Sequence, residues 1–269
     1  MSRLRLVFIA VLLGAALATP SISRAIPQLE DLVRGATQAA SSSSAAPTST
    51  PTSGPPTTAP SGASPGTAGS ALATVATLTV KGRAPQTGYE RDRFGQAWLD
   101  TDHNGCDTRN DVLRRDLAHV EVRAGTHGCV VLRGTLKDPY TGRTIEFVRG
   151  ASTSAAVQID HVVALSDAWQ KGAQGLSDAT RAALANDPLN LLAVDGPTNQ
   201  AKGDGDTATW LPPAKGYRCA YVARQVAVKA KYHLWVTAAE RDAMRRVLAT
   251  CPTQPLPAPS SVAVPAPAA

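Results

Sequence analysis

Apolar residues recur along the chain in two rhythms. From about His119 to Arg149 the segments "HVEVR", "CVVLRGTL" and "RTIEFVRG" alternate apolar and polar positions, the period-two signature of half-buried strands. Between the last two, "DPYTG" (Asp138 to Gly142) supplies the Pro and Gly of a hairpin turn. "VQIDHVVAL" and "LNLLAV" are short strand-like runs. Elsewhere the spacing is helical. "TGYERDRFGQAWLDTDHNGCDTRNDVLRRDL" predicts two helices around a polar turn at Asp100 to Cys106. Tyr89, Phe94, Ala97 and Trp98 form the stripe of the first, and a Thr108/Asp111 capping box opens the second, which runs to Leu117. "DAWQKGAQ" and "SDATRAALAND" follow as helices, the latter with Ser177 as N-cap. "DGPTNQAKGDGD" is a turn leading into a polar helix or loop, and "YRCAYVARQVAVKAKYHL" is a basic helix. Thr237 with Glu240 caps a last helix, "AAERDAMRRVLATC". Without repeats or a mid-chain linker, this pattern predicts one α+β domain.

The ends of the chain follow neither rhythm. Arg3 and Arg5 precede an apolar run from Leu6 to Ala18, then Pro20 and small residues. This order is that of a secretory signal peptide over residues 1–25, with cleavage after Ala18 or Ala25. The run is short of the roughly 20 residues of a membrane-spanning helix. The expectation is therefore a protein secreted or placed at the cell-envelope exterior, with no stable span after cleavage and an uncleaved N-terminal anchor as the alternative. Residues 26–76 form a spacer dominated by Ser, Thr, Pro and Ala, and residues 252–269 form a Pro/Ala-rich tail. Such composition buries too little apolar surface to offset chain entropy, so both are expected to be disordered. The folded part is expected over 77–251.

Cysteine and charge sharpen this outline. Cys106, Cys129, Cys219 and Cys251 all fall in the folded part. An even count in an exported chain favours two disulfides. Three pairings are open, and the local one (Cys106–Cys129, Cys219–Cys251) is favoured because each pair brackets a compact stretch. A four-Cys zinc site is disfavoured, since no two cysteines have the two-residue spacing of a metal knuckle. Residues 77–211 carry 15 Lys/Arg against 17 Asp/Glu, whereas residues 212–251 carry 8 against 2. A basic C-terminal stretch suits a polyanionic partner, but on charge alone a solvated helix face is the better reading. Lys215, Arg218, Arg224, Lys229, Lys231, Arg245 and Arg246 are its candidate phosphate contacts.

The candidate chemistry lies in three segments, "IDHVV", "LNLLAV" and "TNQAK". If the first two pair as antiparallel strands and the third starts a helix across them, Asp160, His161, Asn199 and Lys202 point into one cleft. A carboxylate and an amide oxygen are hard ligands suited to Mg²⁺ or a similar cation. An adjacent His titrates near neutrality and suits a general base. Arg109, among acidic neighbours, is a candidate for bidentate contact with a phosphate. Within residues 77–251 no G-x-S-x-G elbow is present to support a Ser-His-Asp hydrolase.

These motifs, with "NGCDTRNDVL" at Asn104 to Leu113, resemble the HNH (His-Asn-His) nuclease superfamily. The likeness is to the exported bacterial branch, similar to the nuclease domain of GmrSD-type modification-dependent restriction enzymes. It covers nearly all of 77–251 and implies a ββα-metal core. It further implies Asp160 as metal ligand, His161 as general base, Asn190 as the catalytic-set residue that holds the hairpin, and Asn199 as the final metal ligand. Many members have His where Asn199 stands, and this departure favours Mg²⁺ or Mn²⁺ over Zn²⁺. Lys202 is then expected on a substrate phosphate, with Asp204 supporting it or the metal shell. The implied function is hydrolysis of DNA, with RNA as a second substrate and no obligate protein partner. The alternative is a secreted module that binds nucleic acid or envelope polymer without hydrolysis.

Overall fold

The computed structural model describes residue 67 and residues 69–266. The expected signal peptide and nearly all of the spacer lie outside these residues. Three antiparallel strands form the first sheet, β1 (Leu117–Val122), β2 (Val131–Lys137) and β3 (Thr144–Val148), in the order β1-β2-β3. The β2–β3 turn closes as the sequence predicts. Asp138 N–H donates to Arg143 O at 2.8 Å, and the Asp138 carboxylate accepts from Tyr140 N and Thr141 N.

A separate two-stranded sheet pairs β4 (Val157–His161) with β5 (Leu191–Asp195), antiparallel, in the register Asp160↔Leu192 and His161↔Leu191. The connection between them holds α3 (Leu165–Gln170) and α4 (Asp178–Asn186), the latter capped by Ser177. Every residue of β5 is buried. Leu191 and Ala193 join the core cluster of Val112, Phe147 and Ile159, while Leu192 and Val194 join the one around Tyr140, Tyr221 and Met244. Burial on both faces explains why "LLAV" shows no alternation.

Directly after β5, α5 (Gly196–Lys202) lies against both strands. Asp195 is its N-cap, and Pro197 occupies the first turn. A Cβ at Gly196 would sit 2.0 Å from Ala155 O, so only glycine lets this helix start so close to the chain entering β4. The last large elements are α6 (Arg218–Lys231) and α7 (Ala238–Leu248). Disulfides join Cys106 to Cys129 and Cys219 to Cys251, the local pairing. Closing loops of 23 and 32 residues, each contributes about 3.5 kcal/mol through the unfolded chain. Among the described residues no helix is long and apolar enough to cross a membrane.

Several elements depart from expectation. The helix expected through Tyr89–Trp98 is a single 3-10 turn, Arg91–Phe94. Gly95 follows it at φ +78°, where a Cβ would lie 2.9 Å from that of Ala182. The predicted stripe splits, with Phe94 and Tyr89 on Trp169 and Trp98 in a different cluster. Helix α2 (Thr108–Asp116) takes its cap from Asp107, which accepts from Asn110 N, while the Thr108 hydroxyl turns to Leu99 O. Ordered packing also reaches past residues 77–251. A first helix, α1 (Ala71–Val75), packs on α6 and α7, and Ser70 bridges to Pro255. The tail includes a one-turn helix, α8 (Pro259–Val262), with Arg115 Nη1 3.2 Å from Val262 O.

Candidate active site

The site is built where β4 runs out. Asp160 and His161 are the last two residues of the strand, and both border one cleft. Asn190, fully buried just before β5, fixes the chain on both sides of this point. Its Oδ1 accepts from Val163 N at 2.8 Å, and its Nδ2 donates to Val163 O and Leu184 O, each at 3.3 Å. Its own carbonyl accepts from Val162 N at 2.8 Å. Segment 188–191 is held in turn by two guanidinium groups. Arg224 donates to Leu189, Pro188 and Leu191 carbonyls, and Arg115 donates to those of Pro188 and Leu191.

Asp160, 5% exposed, is gripped on both oxygens. Lys202 Nζ donates to Oδ1 at 2.9 Å, and the buried Tyr140 hydroxyl donates to Oδ2. The same ammonium also donates to His161 O at 2.9 Å. Burial raises the Asp160 pKa above the ordinary carboxylate value, against the opposing influence of Lys202, Tyr140 and Arg224.

His161 Nε2 lies 2.8 Å from Ala185 O. A carbonyl can only accept, so Nε2 carries the proton and Nδ1 keeps its lone pair. Burial pushes the imidazole pKa down to about 4; Arg91 and Lys202 act in the same direction, and the Ala185 hydrogen bond opposes them. His161 is therefore neutral at physiological pH.

A cleft of ≈ 250 Å³ brings Asp160, His161 and Asn199 together with Arg91, Ser166 and Asp204. Asn199 donates its Nδ2 to Gln158 Oε1 at 2.9 Å, which commits the nitrogen and leaves Oδ1 as the free acceptor. Ser166 donates to the Asp204 carboxylate at 3.2 Å on the rim. Arg91 was not singled out by sequence reasoning. It sits in a stretch expected to be plain amphipathic helix, and the only signal was its place two residues beyond Tyr89, which also borders the cleft.

The expected nucleic-acid contacts are placed elsewhere. Lys202 is buried beneath Asp160 and is not on the cleft wall. Arg224 is buried on backbone carbonyls. Lys229, fully buried, pairs with Asp167 at 3.1 Å and Glu240 at 2.9 Å. None of these three is exposed to a phosphate: α6 turns Arg224 and Lys229 inward where the sequence pattern suggested a basic surface, and Lys202 ends α5 beneath Asp160. Arg109 is half-buried, its guanidinium 5.9 Å from the Phe147 ring centre, and it does not line the cleft.

The family match makes this disulfide-stapled α+β domain, with its Asp-His step ending a strand at a cleft, a domain of nuclease type. The chain belongs to the family of GmrSD restriction endonuclease C-terminal domains, whose model matches residues 107–247. It is also 40% identical, over 186 residues, to an uncharacterized secreted protein of Arthroderma benhamiae; the matched region is 68% of this chain and 86% of that relative. No solved structure matches the chain.

Proposed function

We propose that this protein is an exported, metal-dependent endonuclease that hydrolyses phosphodiester bonds of DNA, and of RNA as a second substrate. One observation carries the reading. A neutral His161, with Nε2 committed to the Ala185 carbonyl, lines the same cleft as Asp160 and Asn199. Its Nδ1 accepts a proton from the attacking water, and the Ala185 hydrogen bond holds the imidazole in the tautomer that can do so. Asn190 is the positioning residue that keeps the strand end bearing this pair in place.

The donor set fits a hard divalent cation. The Asp160 carboxylate and the free Oδ1 of Asn199 are oxygen ligands, and among the described residues no three His, Cys, Asp or Glu side chains converge as a tight cage. Two protein ligands with waters suit Mg²⁺ or Mn²⁺ better than Zn²⁺. Such a cation, when bound, offsets charge on the scissile phosphate and the leaving oxygen. Arg91 is the cleft guanidinium placed to hold a phosphate oxygen, the part first given to Arg109. The β4–β5–α5 unit then serves as a ββα-metal core. The expected signal peptide and the secreted relative support export.

The test is nicking of supercoiled plasmid in Mg²⁺ or Mn²⁺ beside His161→Ala. The variant should lose about 10²- to 10⁴-fold in rate while its circular dichroism still reports the native fold. Undiminished cleavage would remove His161 as the base. Binding without turnover in every divalent metal would instead mark a non-catalytic binding module.

A further inference from the structure

The grip on Asp160 comes from below the cleft. Lys202 has no exposed side-chain surface and Tyr140 none at all, and neither lines the cleft that Asp160 borders. Each carboxylate oxygen has more than one lone-pair direction, so each can accept one hydrogen bond from beneath and still present an acceptor to the cleft. The remaining charges bordering the cleft are Arg91 and Asp204. Asp160 and Asp204 together balance Lys202 and Arg91, so a dication entering this site meets no net negative charge.

We infer that Lys202 is a resident counter-ion of Asp160, keeping the cleft folded without metal and holding cation affinity low until a nucleic-acid phosphate adds its charge. The inference rests on the reading of Asp160 as a ligand. It makes Lys202 a positioning residue with an electrostatic consequence: the protein is stable without metal, and cation and substrate bind with positive coupling. The ammonium lies 2.9 Å from the oxygen the cation would share, so its repulsion acts at short range and in a desolvated setting.

The experiment measures Mn²⁺ affinity of the full chain by electron paramagnetic resonance and calorimetry. In the wild type, a duplex oligonucleotide with a non-hydrolysable backbone should tighten Mn²⁺ binding at least about tenfold. Lys202→Met should tighten binding without oligonucleotide by a similar factor. Its melting temperature should rise on adding Mn²⁺, whereas that of the wild type should barely move. Equal affinity with and without oligonucleotide in the wild type overturns the inference without requiring any variant to fold. So does a folded Lys202→Met that binds Mn²⁺ no more tightly. Asp160→Asn separates the two levels. If it binds Mn²⁺ as the wild type does, the ligand reading falls and takes the inference with it. If it loses Mn²⁺ while Lys202→Met gains nothing, only the counter-ion role falls.

Discussion

Around Lys171 three cations meet three buried carboxylates, with Arg83 alone reaching the surface, whereas around Asp160 one ammonium and one hydroxyl meet a single carboxylate beside open space. In the first, Lys171 Nζ lies 2.6 Å from Asp167, 2.7 Å from Asp206 and 2.6 Å from Glu240. Lys229 reaches Asp167 and Glu240, and Arg83 closes the set on Asp167 and Asp206. Some of these are close ion contacts off the hydrogen-bond axis, since both Glu240 oxygens lack an aligned donor. The cluster ties α3, α6, α7 and the loop after α5 together, and its charges cancel within it. In the second cluster the carboxylate borders a cleft, and each oxygen accepts one bond with capacity for another. The chemistry of burial is the same in both. What separates structural charge from candidate functional charge is whether a coordination direction is left over.

The sharpest way to break the comparison is to unbalance the Lys171 cluster. Lys171→Met leaves Asp167, Asp206 and Glu240 facing two cations instead of three, and breaking a buried ion set costs about 3–5 kcal/mol. Urea unfolding should show that loss, while any molecules still folded at low temperature should cleave at the wild-type rate per folded molecule. Next in size is Arg91→Ala. Arg91 is exposed on a 3-10 turn, so stability should change by less than about 0.5 kcal/mol. Plasmid nicking should nevertheless fall roughly ten- to a hundredfold, the loss of about 1.4–2.7 kcal/mol of transition-state contact. A rate unchanged by that substitution would return Arg91 to the solvated surface.

How much of this was legible beforehand follows from how far each signal travels along the chain. Asp160, His161, Asn190 and Asn199 sit on short segments with a recognisable order, and the β4–β5 pairing could be read from "IDHVV" and "LNLLAV" alone. Ser177 and Thr237 as caps were equally local, each accepting from the N–H three residues on. The inward cations were not legible. Glu240 was expected to complete the capping box of α7, yet its carboxylate turns into the core toward Lys171 and Lys229. Its partners lie on α6 and just beyond α3, and nothing in the local sequence specifies that meeting. Lys229 and Arg224 failed for the same reason. Counting charges along α6 gives its sign, but only tertiary packing decides that Tyr221, Arg224, Gln225 and Lys229 all face inward. Arg91 was missed because the turn that exposes it depends on Gly95 meeting Ala182 across the fold.

The smallest expected effect tests the hinge between strand and helix beneath the cleft. Asp195 accepts from Thr198 N at 2.9 Å and from its hydroxyl at 2.6 Å, and it meets the largely exposed Arg143 at 2.9 Å. Burial alone would raise its pKa, but the Thr198 hydrogen bonds and the Arg143 charge outweigh that and hold it below the ordinary carboxylate value. A folded pKa below the unfolded one means that the unfolded chain binds more protons in acid. The stabilisation is therefore present above the unfolded value of about 3.9 and is lost as pH falls through the folded value. Asp195→Asn keeps an effective N-cap and removes only the charge. At neutral pH it should be less stable than the wild type by under about 1 kcal/mol, since Arg143 is solvent-screened. Urea titrations stepped from pH 7 to pH 3 should show the two proteins converging in acid. A gap that stayed constant with pH would mean that the cap geometry, and not the carboxylate charge, holds α5 and its Asn199 against the strands.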